Sequence, residues 1–293
     1  MTILPQPRDD FQIEIADGRM IAIARWGRAG GAPVIAHHGT PMCRLDLPGS
    51  AEMLDELGVD LIMFDRAGYG RSTPLPGRAV ATAAADTQTV ADALGIDRFA
   101  VYGVSGGGPH ALACPAMLAD RVTRTACVVG IAPFGVPGFD FYEGLNDLSV
   151  TEFEVALRGR SAMQAYVSEF VAQTRFAGTA VMDEWGGELP EPDRGAYYGS
   201  PEARASLARA LTEALAVSGD GWVDDGLAFV APWGFELDAI STPVSVWAGA
   251  IDRLVPVEHA RYLASQIPNS ELHIVPDRGH ALDDRPIFSW LVG

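Results

Sequence analysis

Phe99-Ala100-Val101-Tyr102-Gly103-Val104-Ser105-Gly106-Gly107-Gly108 is the stretch on which the fold turns. Phe99 to Val104 has strand character, and a helical pattern follows from Gly108 through Leu118. Between them stands G-x-S-x-G, Gly103 to Gly107, in the strand-to-helix context that this motif needs. The turn is sharp and strained, so glycines beside Ser105 supply room where neighbouring chains approach closely. It exposes the hydroxyl at the carboxyl end of a sheet, and the following helix N-terminus places positive potential where an oxyanion would form.

A serine hydroxyl is a poor nucleophile at neutral pH, so a base must take its proton and a third group must hold that base. Working outward, Val244 to Ala248 and Leu272 to Val275 read as later strands, followed by Gly249-Ala250-Ile251-Asp252 and Gly279-His280. Parallel strands put all their carboxyl ends on one edge, so Ser105, Asp252 and His280 are expected to converge there as nucleophile, orienting acid and base. Their order along the chain, Ser then Asp then His, is the one this arrangement demands. His110, His259 and His273 fall inside helix or strand patterns and are expected to be structural. His38-Gly39-Thr40-Pro41 closes an earlier strand, so the Thr40 amide is expected to pair with that of Gly106 as an oxyanion hole.

The rest of the chain supports an α/β architecture. Phe11 to Ala16 and Met20 to Trp26 alternate around Asp17-Gly18, a hairpin signal. Pro33 to His38, Val59 to Asp65 and Thr125 to Ile131 are apolar runs of buried-strand type. Helices are expected over Ser50 to Leu57, Asp86 to Leu94 and Val257 to Gln266. After Pro133 strand signals largely stop, and helical stretches including Thr151 to Phe176 and Pro201 to Val217 fill the chain to about Glu236. Residues 1–133 and 237–293 are therefore expected to form the core, with 134–236 an inserted helical cap.

Composition bounds the chemistry. Of 293 residues 48% are hydrophobic and 20% charged, which suits a large buried core. A net charge of −17 disfavours nucleic acid and anionic membrane surfaces as partners. All 21 basic residues are Arg, so mechanisms that need a Schiff-base or phosphate-loop lysine are excluded. Cys43, Cys114 and Cys127 form no C-x-x-C pair and suggest neither a disulfide framework nor a zinc ribbon. With no export signal at Met1 to Asp10 and no apolar run of membrane length, a cytoplasmic location is expected.

Phe64-Asp65-Arg66-Ala67-Gly68-Tyr69-Gly70-Arg71-Ser72, the H-G-T-P turn, V-S-G-G-G-P-H-A-L from Val104 and the Gly279-His280 ending together resemble the α/β-hydrolase superfamily, particularly capped bacterial hydrolases. The resemblance covers nearly the whole chain. It implies an α/β-hydrolase fold with a mostly parallel eight-stranded sheet flanked by helices and a helical cap after the sixth strand. It also implies a triad of Ser105, Asp252 and His280, oxyanion donors at Thr40 and Gly106, and no cofactor or metal. Residues 65–72 are a structural loop in such proteins. One departure is the short tail, since only thirteen residues follow His280 and the final helix, around Pro286 to Val292, must be brief.

The expected reaction is hydrolysis of an ester or related acyl bond of a small, apolar substrate through an acyl-enzyme. Phe134, Trp185 and Trp233 are the substrate-binding candidates among the cap aromatics, and acidic residues such as Asp183, Glu184, Asp224 and Asp225 read as a solvated face. The same triad also serves C–C bond hydrolysis, lyase or cofactor-free oxidative chemistry, and the fold can persist as a ligand-sensing pocket. A small molecule is the expected partner, and homo-oligomer formation is left open.

Overall fold

A computed structural model describes residues 4–177 and 189–293. Eight strands form one sheet: β1 (Asp9–Glu14), β2 (Met20–Gly27), β3 (Ala32–His37), β4 (Val59–Phe64), β5 (Phe99–Val104), β6 (Val122–Val128), β7 (Val244–Gly249) and β8 (Ser270–Val275). Their spatial order is β1-β2-β4-β3-β5-β6-β7-β8. Gly18, at φ 82, turns the β1–β2 hairpin, β2 runs antiparallel to β4, and every pairing from β4 to β8 is parallel. The carboxyl ends of β3, β5, β7 and β8 therefore share one rim. The loops that leave it carry Thr40, Ser105, Asp252 and His280.

Alternation along the strands sorts apolar side chains to two faces. On β3, Val34 and Ala36 join a cluster with Trp26, Leu61 and Phe288, whereas Ile35 joins one with Ile62, Val90 and Ala111. Helices α1 (Ala51–Glu56) and α10 (Asp284–Val292) cover the first face, and α2 (Thr82–Ala93) and α3 (Gly107–Met117) the second. The helix Asp284–Val292 has 9 residues and is well anchored. Asp283 caps it by accepting from the Arg285 amide at 3.0 Å, and Phe288 stacks on Tyr102 of β5 at 5.1 Å.

Between β6 and β7 the described residues contain helices and no strand: α4 (Asp147–Leu157), α5 (Arg160–Ala177), α6 (Glu191–Tyr198), α7 (Pro201–Ala214) and α8 (Asp220–Phe229). A further helix, α9 (Val257–Gln266), joins β7 to β8. The single helix expected over 151–176 is two, because Gly159 sits at φ 93, a conformation that ends a helix. The strand expected over 125–131 runs instead from Val122 to Val128, and Val129 follows at φ 44, an outlier for a β-branched residue. Among the described residues no helix is long and apolar enough to cross a membrane.

Close packing under the G-x-S-x-G turn explains its glycines. A Cβ on Gly107 would collide with the carbonyls of His37 and His38, and one on Gly103 with Ala111 and the Gly107 carbonyl. Gly107→Ala is expected to cost about 1–3 kcal/mol, read as a lower urea midpoint. An unchanged midpoint would show that β3 and α3 can separate freely, against this packing.

Candidate active site

Ser105 sits between β5 and α3 at φ 54, a positive φ for a non-glycine residue. Its amide donates to the Val128 carbonyl at 2.8 Å and its carbonyl accepts from the Gly108 amide at 2.8 Å, so β6 and the first turn of α3 hold the strained turn. Asp252 follows β7. Its Oδ1 accepts from the amides of Leu254 at 2.8 Å and Val255 at 3.1 Å, which leaves Oδ2 facing His280 Nδ1 at 2.7 Å. Both side chains are buried, and with Nδ1 donating to the carboxylate the other ring nitrogen is free to accept a proton. Burial works against charge on His280, but Asp252 and the nearby Asp193 outweigh it and hold its pKa above the usual 6.5.

Ser105 and His280 line the same cavity, of about 170 Å³. Among the described residues the Ser105 hydroxyl makes no hydrogen bond. A second lobe of about 140 Å³ adjoins the first through Thr40, Pro41, Ser105, Leu148 and Leu254. Thr40 and Gly106 meet there so closely that a Cβ on residue 106 would lie 2.9 Å from Thr40 Cβ. Neither of their amides donates to any group among the described residues, and Gly106 is also the N-cap of α3, where the helix dipole favours negative charge.

The Thr40 turn is held from behind by a carboxylate that sequence reading places on a solvated face. Asp225, on α8, is fully buried. Its Oδ2 accepts from Thr40 Oγ1 at 2.7 Å, Arg66 Nη2 at 2.6 Å and the Tyr69 hydroxyl at 2.8 Å, and its Oδ1 from Arg78 at 2.7 Å and His110 Nε2 at 3.0 Å. Burial alone would raise the Asp225 pKa, but Arg66, Arg78 and His110 overcome it and hold the carboxyl well below the usual carboxylate range. Asp224 is buried as well, accepting from the Gly77 amide at 3.0 Å and pairing with Arg160. The solvated-face expectation thus fails for both, because α8 lies against core loops. Asp183 and Glu184 lie outside the described residues.

His110 is a partner of this network, with its pKa pushed down to about 4 by burial, and so is neutral near pH 7. His259 is structural too, since Nδ1 accepts from the Ala132 amide at 3.0 Å and Nε2 donates to the Phe141 carbonyl at 3.1 Å. His273 stacks on Trp247 at 4.0 Å. The 65–72 loop is knitted by Asp65, whose Oδ1 and Oδ2 accept from the amides of Arg44 at 2.8 Å and Arg71 at 3.0 Å.

Of the aromatic substrate candidates, Phe134 and Trp233 are not brought to Ser105. Phe134 packs edge-on against Phe141 at 5.1 Å, and Trp233 lies beside Phe235 at 5.8 Å. Both line a separate hollow with Pro232 and Tyr262, because they pack into the apolar cluster that holds Leu237 and, from α9, Leu263. Trp185 lies outside the described residues. The walls beside Ser105 are instead Met42, Leu148, Leu207 and Leu211 with Tyr197 and Tyr198 in the first lobe, and Phe153 and Phe229 in the second.

Two carboxyl groups interrupt these apolar walls, and sequence reading missed both. Asp46, in the first lobe, is pushed up to about 6 by burial and by Asp284. Glu152, in the second, accepts from Trp222 Nε1 at 2.6 Å, and burial, aided by Asp225 against that hydrogen bond, pushes it up to about 7. A third missed residue is Asp193 of α6, whose carboxylate accepts from the amides of His280 at 2.8 Å and Ala281 at 2.9 Å. No local signal marks it, as its partners lie more than eighty residues away.

Known proteins share this architecture. A family model described as alpha/beta hydrolase fold matches residues 32–282. A non-heme chloroperoxidase of Streptomyces lividans is 27% identical over 263 residues, 85% of this chain and 84% of the relative. A putative carbamate hydrolase of a Caulobacter strain is 29% identical over 226 residues, 75% of this chain and 73% of its own. A thermophilic esterase structure from Thermogutta terrifontis superimposes with a TM-score of 0.65 at 22% identity, covering 96% of this chain and 93% of that one.

Proposed function

The chain belongs to the α/β-hydrolase fold family, and from that premise we propose that it is a serine hydrolase cleaving an ester or related acyl bond of a small, apolar substrate. One observation carries the reading: the His280–Asp252 pair, 2.7 Å apart, has its ring on the wall of the cavity that Ser105 enters. His280 takes the Ser105 proton as the hydroxyl attacks the acyl carbonyl, and the free amides of Thr40 and Gly106 receive the oxyanion. The imidazolium then protonates the leaving group, and water, deprotonated by the same ring, releases the acyl-enzyme. Asp252 holds the tautomer and stabilises the charged ring.

The lobes are small beside the roughly 300–1,000 Å³ of typical ligand pockets, which supports a compact acyl or alcohol part. Their leucine and phenylalanine walls support an apolar one. Treatment with a fluorophosphonate probe is expected to add one adduct, mapped by mass spectrometry to the peptide with Ser105. A folded, unlabelled protein would favour a ligand-sensing role. The chloroperoxidase relative motivates a second reading, the same triad in cofactor-free oxidative chemistry. Turnover of halogenation substrates, with none of short acyl esters, would select it.

The pH profile gives a further check. The base must be neutral to act, and its pKa is raised, so activity is lost as pH falls through that raised value. The acid limb of kcat/KM is expected to have its midpoint above 6.5, the ordinary value for histidine. A midpoint well below 6.5 would contradict the assignment of His280.

A further inference from the structure

We infer that Asp193, carried by the inserted helix α6, is a positioning residue for the base. It fixes the main chain of His280 from the cap side while Asp252 fixes the ring from the core side. This rests on the reading of His280 as base. Asp193 is fully buried, and its two oxygens are divided between consecutive amides, Oδ2 to His280 at 2.8 Å and Oδ1 to Ala281 at 2.9 Å. Such charge-assisted bonds are stronger than neutral ones, and a buried carboxylate without them would be costly.

Two details separate this from an ordinary helix-end acid. Asp193 stands in the first turn of α6, where an acid commonly serves its own helix, yet both of its oxygens go to the His280 loop. The neighbouring Gly279 leaves the carboxylate its place, for a Cβ there would collide with all three atoms of the Asp193 carboxyl group. The loop is thus shaped to receive a group from the insertion. The base is placed for Ser105 only while α6 is seated.

The charged and titratable groups around the ring are few. Asp252 faces it from β7 and Asp193 from α6, while Asp277 and Arg278, on its own loop, are exposed. Tyr197, one turn beyond Asp193, is kept protonated by burial and by Asp46, Asp193, Asp252 and Asp284. Asp46 shares the cavity wall with His280.

Steady-state kinetics on an ester substrate across pH would test the inference, with Ser105→Ala as control. A shift of the base by about 1 Å lowers rate on the order of 10²-fold, so Asp193→Ala is expected to lose about that much kcat with KM within a few-fold. Asp193→Asn, with one acceptor oxygen, should recover part of kcat. Because it removes a negative charge that favours the imidazolium, its acid limb should lie at lower pH than the parent's. Gly279→Ala keeps the charge but displaces the carboxylate, so kcat should fall with a smaller movement of the limb.

If Asp193→Ala does not fold, the Asn and Gly279→Ala variants carry the same comparison. Folded variants with kcat within two-fold of the parent and an unmoved acid limb overturn the positioning role alone, provided Ser105→Ala is inactive. Full turnover in Ser105→Ala overturns the hydrolase reading beneath it.

Discussion

Ser105→Ala is expected to lose turnover of every ester substrate by about 10⁴-fold or more, while melting within about 2 °C of the parent. The loss is large because nucleophile and base act as a unit, so removing one removes the step they perform together. Little stability goes with it, since the hydroxyl bonds to nothing among the described residues and the strained turn is held by main-chain bonds to Val128 and Gly108. Ester turnover by initial rates and melting by calorimetry would check both halves. Turnover within ten-fold of the parent would end the assignment of Ser105.

Asp225→Ala carries the largest expected loss of stability, about 3–5 kcal/mol. Deleting this carboxylate leaves Arg66 and Arg78 charged in the interior and removes the acceptor for Tyr69, His110 and Thr40. Against a typical total of about 5–15 kcal/mol, that is a substantial fraction. The sign of its pH dependence comes from a carboxyl held below its ordinary 3.8. Its contribution is complete above that value and fades as pH falls through the lower folded-state value, so parent and variant should converge in acid. Urea unfolding at neutral and acid pH would measure this, and a neutral-pH difference under 1 kcal/mol would refute it. Under the proposed function activity should fall as well, because Asp225 holds the hydroxyl of Thr40, whose amide is proposed to receive the oxyanion.

The eight-stranded sheet was legible because its signals are local: apolar runs of strand length, Asp17-Gly18, and a serine between glycines at a strand-to-helix turn. Ser105, Asp252 and His280 were legible as candidates because each lies in a loop leaving a strand, and parallel strands deliver such loops to one rim. Asp193, Asp225 and Glu152 were not, since their significance lies in partners distant in sequence. An acid such as Asp225 reads as solvated whether or not two buried arginines await it. Aromatic content likewise carries no direction, so Phe134 and Trp233 could be assigned to the insertion but not to a wall. Gly159 escaped notice because a lone glycine inside a helical pattern marks a break only through its φ.

Burial of Asp225 against the loops after β3 and β4 also sets where the protein can be divided in engineering. A chimera that exchanged residues 134–236 for a foreign lid would carry the carboxylate away and leave two bare guanidinium groups in the recipient. A workable graft must keep 220–236 with the sheet and take only the helices before it. It must also supply an acid for the amides of residues 280 and 281. A cut between α7 and α8 is therefore expected to be tolerated better than one at residues 134 and 236.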